Sequence, residues 1–203
     1  MRRLVCLLLA MLMLCTAALA EGFDQARLEQ TKDYTTYMDI HQVNTIVAPP
    51  DQPWAGETEL EDSELAVYLD FIQMPDEDMT FLRLTLSLTS YEFVAASELT
   101  ITVGGKDYVF DVFPEVWEYD LTYFEDYVIC MTDASLPMIK AMARSKTDTF
   151  PIKLAGDTTV QGSITLDLDQ VAQIYDTYID CGGERQNLGL CRELWPVMIM
   201  KDE

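Results

Sequence analysis

The chain has 203 residues, with 35 acids against 13 lysines and arginines, and a formal net charge of −22. So negative a surface repels phosphate backbones and anionic lipid, which argues against nucleic-acid binding and membrane-surface attachment. With 49% hydrophobic residues and a single histidine, intrinsic disorder and chemistry built on several imidazoles are both excluded.

Met1-Arg2-Arg3 is a short positive start, Leu4 to Cys15 an apolar run, and Ala18-Leu19-Ala20 supplies the small residues a signal peptidase needs. Residues 1–20 therefore read as a cleaved secretory signal, and the apolar run is too short to span a bilayer. Leu14 before Cys15 and Val5 before Cys6 are too large for lipidation, and no later segment reads as an integral membrane anchor. The processed chain, from Glu21, loses Arg2 and Arg3, so its charge becomes −24, and it is expected to be secreted or periplasmic.

Residues 21–60 are polar and broken, with a weakly periodic stretch from Phe23 to Asp39. The turn-rich connector Pro49-Pro50-Asp51-Gln52-Pro53-Trp54 follows. They read as an N-terminal extension, with residues 61–203 as a single domain. Leu65 to Ile72 is strand-like. Phe81 to Thr89 alternates, with Leu82, Leu84, Leu86 and Leu88 on one side and Arg83, Thr85 and Ser87 on the other, the period of a half-buried strand. Leu99–Val103 and Tyr108–Phe113 flank Gly104-Gly105-Lys106-Asp107, the strongest hairpin signal in the chain. Tyr123 to Met131 reads as a strand. Ser135 opens a helix with Leu136, Ile139 and Met142 as its apolar stripe, and Phe150–Ala155 with Thr159–Leu166 forms a second hairpin. A last helix, capped by Asp167 or Asp169, carries Val171, Ile174, Tyr175, Tyr178 and Ile179 and stops at Gly182-Gly183. The expected fold class is α+β, a predominantly antiparallel sheet with two helices.

Three cysteines remain after processing. Cys181 and Cys191 bracket a glycine-rich stretch, and in an oxidising compartment a disulfide there would contribute about 2–3 kcal/mol. Cys130, among Val128, Ile129 and Met131, reads as a small buried apolar side chain. No catalytic residues are assigned. A Ser-His-Asp set would have to use His41, which sits in the irregular N-terminal region, and there is no Gly-x-Ser-x-Gly elbow. No metal site or cofactor is expected: histidine and cysteine are too scarce for zinc, Asp167-Leu168-Asp169 and Asp76-Glu77-Asp78 lack the spacing of a calcium loop, and there is no phosphate-binding glycine pattern.

Two features remain. Residues 117–127 interleave aromatics with acids, and Trp117, Tyr119 and Tyr123 are the candidate ligand-binding residues, rings beside carboxylates being suited to a sugar or a cationic peptide. The competing reading makes Tyr123 or Phe124 and Tyr127 core residues with the acids facing water. Lys140, Arg144, Lys146 and Lys153 hold four of the eleven processed-chain cations and are expected to offset nearby carboxylates. The leading expectation is a non-catalytic binding module for an unidentified protein, peptide or carbohydrate. Alternatives are a small carboxylate hydrolase, with or without calcium, and an accessory subunit of a surface assembly.

Overall fold

The computed structural model describes residues 23–31, 33–38, 45–74, 79–132 and 134–183. The signal, His41, Cys191 and the Asp76-Glu77-Asp78 turn lie outside the described residues, so the expected Cys181–Cys191 bridge does too.

Among the described residues, eleven antiparallel strands form one sheet that curls into a half-barrel, accompanied by three short helices. In chain order these are α1 (Gln25–Glu29), β1 (Thr35–Met38), β2 (Thr45–Ala48), β3 (Trp54–Thr58), β4 (Glu64–Met74), β5 (Met79–Ser90), β6 (Glu98–Val103) and β7 (Lys106–Asp111). There follow β8 (Glu115–Tyr119), β9 (Thr122–Cys130), α2 (Leu136–Ala143), β10 (Thr149–Ala155), β11 (Thr159–Thr165) and α3 (Leu168–Asp180). The sheet runs β7-β6-β10-β11-β3-β4-β5-β9-β8, with β2 paired to the far half of β4 and β1 to β2. Among the described residues no helix is long and apolar enough to cross a membrane.

The alternation of leucines in β5 places Leu82, Leu84, Leu86 and Leu88 on the inner face, all buried. There they meet Val67, Leu69 and Phe71 of β4 and the apolar sides of α2 and α3. Asp167 caps α3 as its sequence suggests, its carboxylate accepting the Asp169 and Gln170 amides at 3.0 and 3.1 Å. Ser135 stands at the start of α2, but its hydroxyl makes no cap. Its Oγ accepts the Thr132 amide at 2.6 Å, closing the preceding turn instead. At the other end of α3, Gly182 takes the left-handed φ of 83° that a glycine tolerates, and Cys181 is buried in the core.

Residues 21–60, expected as an extension, contribute a helix and three strands to this body. Phe23 and Tyr34 pack on Phe71, with Phe23 also on Tyr178, at centroid separations near 6 Å, and Val47 and Trp54 are buried in the core. Arg27 pairs with Asp180 at 2.7 Å and ties α1 to the end of α3. At Leu69, β4 leaves β3 and has not yet reached β2. There the Gln52 side chain substitutes for a strand, donating to the Leu69 carbonyl at 2.8 Å and accepting its amide at 3.3 Å. A polar side chain closing a gap in a ladder leaves no hydrophobic period to read, which is why the segment looked irregular.

The outer face carries a second, smaller apolar cluster of Ile72, Met74 and Phe81, with Cys130 half-buried against it. Beside it Arg83 makes a bidentate pair with Asp70 at 2.9 and 3.0 Å, with Asp70 almost fully buried. Burial pushes the Asp70 carboxyl above its ordinary value, while the guanidinium pulls against it.

Candidate functional site

The main strand order ends in β7 and β8, with β1, paired to β2 alone, a further edge; β7 and β8 are only three residues apart in sequence, through Val112-Phe113-Pro114. Each belongs to a two-residue hairpin. The β6–β7 turn uses Gly104 and Gly105, both at positive φ, as the sequence pattern predicts. The β8–β9 turn takes the same positive φ at Asp120 (50°) and Leu121 (65°), where neither residue is glycine. A β-carbon in that region costs roughly 1 kcal/mol, so this hairpin tip is strained, and Leu121 is 75% exposed there.

The register Glu115↔Asp126, Trp117↔Phe124 and Tyr119↔Thr122 puts Trp117 and Tyr119 on the outer face. Trp117 stacks on Phe124 with centroids 5.6 Å apart and planes 4° from parallel, yet remains 43% exposed; Tyr119 is 76% exposed. Tyr123 has the opposite parity. It lies on the inner side of the hairpin, opposite Glu118, where its ring meets Phe93 at 5.3 Å. The structure thus brings Trp117 and Tyr119 together on one face of the edge strand and sets Tyr123 on the other, joined by Phe93 and with Val116 exposed on the same side. Every residue of β8 is exposed, and β8 pairs with β9 alone.

Of the acids in this segment, Glu125 does not face water. It is fully buried, its two carboxylate oxygens accepting the Val94 amide at 2.8 Å, the Ala95 amide at 2.7 Å and the Tyr127 hydroxyl at 2.7 Å. The Tyr127 hydroxyl in turn accepts the Ala96 amide at 3.2 Å, and burial pushes the phenol's pKa up strongly. Three successive amides of the β5–β6 loop are thereby pinned. Ala95 is held at φ 45°, and a β-carbon at Gly156 would collide with the Ala95 carbonyl oxygen. The consequence is positional: the pinned loop projects Phe93 beside Tyr123 and leaves Tyr91 exposed next to the same hairpin. Glu125 was missed in the sequence, though its parity with Tyr127 and Ile129 along β9 points it toward the core.

Asp126, on the outer face, accepts a hydrogen bond from Ser87 and is pushed above the ordinary carboxylate range, chiefly by burial. The exposed acids of the hairpin are Glu115, Glu118 and Asp120, and Glu92 and Asp111 are exposed in the segments that precede it in sequence. Cations are nearly absent: between Arg83 and Lys140 the chain has ten acids and one lysine, Lys106. Lys140, Arg144, Lys146 and Lys153 make no ion pair with a described carboxylate and stand exposed around α2 and β10. Among the described residues no cluster of histidine, cysteine, aspartate and glutamate is arranged to hold a metal ion.

The arrangement can stack and attract. It offers ring faces on both sides of an edge strand, with carboxylates beside them. No family model matches the chain, and neither curated proteins nor solved structures are significantly similar to it.

Proposed function

We propose that the processed chain is an exported, non-catalytic recognition module whose binding surface is the β8 edge with its aromatic and acidic rim. Export is supported by the Met1–Ala20 pattern, which argues for release into a periplasm or the surroundings. Recognition is supported above all by one observation. Trp117 and Tyr119 are large rings held exposed on a strand whose five residues are all exposed, a property it shares with β1, where Tyr37 and Met38 are exposed. Natural edge strands are usually short, charged or covered to prevent association, and an aromatic edge is the exception that association would favour. A strained, exposed Leu121 at the tip fits the same reading. The exposed edge equally supports a role as an accessory subunit that docks into a larger surface assembly through β8.

The test is a comparison of processed wild-type protein with Trp117→Ala/Tyr119→Ala in binding to material from the extracellular environment of the source cells. The expected result is a specific retained ligand that the double variant loses while its circular dichroism and melting temperature stay near wild type. Turnover of any substrate by purified protein, abolished by neutralising one carboxylate, would overturn the reading in favour of a hydrolase.

A further inference from the structure

Resting on that reading, we propose that the partner is an extended, cationic polypeptide segment that adds to β8 as a further strand of the sheet. Three properties of the edge select this chemistry together. First, β8 presents five consecutive exposed residues with β9 on one side only. Alternate residues, Val116 and Glu118, turn their backbone N–H and C=O groups away from β9, and these are groups a peptide satisfies and most other ligands do not. Second, the two faces of the edge differ in parity. Trp117 and Tyr119 flank a bound strand on the outside, and Val116, Phe93 and Tyr123 on the inside, so alternate side chains of the partner meet ring or aliphatic surface whichever way they point. Third, the charge is of one sign: Glu115, Glu118 and Asp120 lie on the hairpin and Glu92 and Asp111 are exposed in the segments before it, in a stretch whose sole lysine is Lys106, on β7.

Lysine or arginine side chains meet both demands at once, laying a methylene stem on an aromatic ring and placing the charged head near carboxylates. The opposite edge already contains this contact within the chain: Lys106 on β7 sits 4.2 Å from the Tyr108 ring centre. A second copy of the chain is the wrong partner. Antiparallel β8–β8 pairing about Trp117 would set Glu115 across from Tyr119 and Val116 across from Glu118, with no cation to meet any acid and two strongly negative bodies brought together. A neutral sugar would use the rings but leave both the strand's backbone groups and the carboxylates unengaged.

The experiment uses the processed full chain and a blocked peptide of alternating lysine and valine, about nine residues long so that it overhangs the five-residue edge. Binding is read by titration calorimetry and by protection of β8 backbone amides from hydrogen exchange. Three companions accompany it: the same peptide with glutamate for lysine, the lysine peptide with N-methylated central residues, and a neutral oligosaccharide. The lysine peptide is expected to bind and protect β8 amides, about tenfold more weakly for Glu118→Lys, and more weakly as salt is raised. The glutamate and N-methyl peptides are expected not to bind. Equal binding of the N-methylated peptide would overturn strand addition, and equal binding to Glu118→Lys would overturn charge selection. Failure of the lysine peptide with Trp117-dependent binding of the oligosaccharide would overturn this partner while leaving the recognition reading intact; failure of both would sink the two together. Val109→Ala on β7, an exposed residue at the other edge, serves as the control and is expected to change nothing.

Discussion

The β7 and β8 edges of the sheet are built from similar parts and differ in what they bury. Each is one strand of a two-residue hairpin with positive φ at both turn residues, and each carries two aromatic residues two positions apart. On β7 those residues, Tyr108 and Phe110, face inward and pack against the main core, so the strand is anchored by burial. On β8 the corresponding pair, Trp117 and Tyr119, faces outward, and the strand is held by its ladder to β9 and by the stack of Trp117 on Phe124. The same residue chemistry thus serves stability at one edge and is left available at the other. Parity relative to the core decides between them, not composition.

The largest effect is expected at the residue that holds the second edge's surroundings in place. Glu125→Ala removes the acceptor for two loop amides and the Tyr127 hydroxyl, leaving buried donors unpaired, and is expected to lower unfolding free energy by about 3–5 kcal/mol. Denaturant unfolding checks this, and a loss under about 1 kcal/mol would mean that the loop is held by something else. Asp70→Asn breaks the buried pair with Arg83 on the outer face, and a loss of about 3 kcal/mol or more is expected there too. Because that pair joins β4 and β5 rather than β8, peptide binding should be unchanged once stability is allowed for, which separates the structural polar sites from the proposed recognition edge.

An alkaline titration sharpens the comparison from the core side. Tyr34 donates to Thr177 Oγ1 at 3.2 Å, and burial first of all raises its pKa to about 12, against about 10 in an unfolded chain. Its neutral phenol therefore adds stability that is complete below pH 10 and is lost as pH rises through about 12, since the unfolded state releases that proton first. Tyr34→Phe is expected to flatten the fall in stability over that window, followed by circular dichroism alongside tyrosinate absorbance; an unchanged slope would contradict the burial argument. The smallest effect has the opposite sign. Leu121→Gly relieves a left-handed φ of 65° at the β8–β9 tip and is expected to stabilise by about 0.5–1 kcal/mol. The matching change Gly105→Leu should destabilise the β6–β7 turn by at least as much.

How much of this could be read beforehand depends on where the signal is local. The β6–β7 hairpin was legible because Gly104-Gly105 between alternating runs allows little else. The β8–β9 hairpin was not, because Asp120-Leu121 adopts the same geometry without a glycine to announce it, so Trp117 and Tyr119 were visible as candidates while their strand and its exposure were not. Tyr123 joined them by proximity in sequence, but alternation sends it to the opposite face. Glu125 reads as a surface acid because carboxylates are rarely buried; the two amides supplied by a loop some thirty residues earlier, with the Tyr127 hydroxyl, make that position tolerable, and no local pattern encodes the loop's part. Residues 21–60 hid their strands for a related reason: the Gln52 bridge to Leu69 and the short β1–β3 pairings are long-range facts.

The division of labour between the edges is tested most directly by measuring unfolding free energy for two matched double variants, Tyr108→Ala/Phe110→Ala and Trp117→Ala/Tyr119→Ala. Removing the inward pair from β7 is expected to cost about 3–5 kcal/mol, and removing the outward pair from β8 only about 1 kcal/mol, the value of one exposed aromatic stack. Equal losses at the two edges would contradict the account, because Trp117 and Tyr119 would then be holding the fold together rather than waiting at its rim.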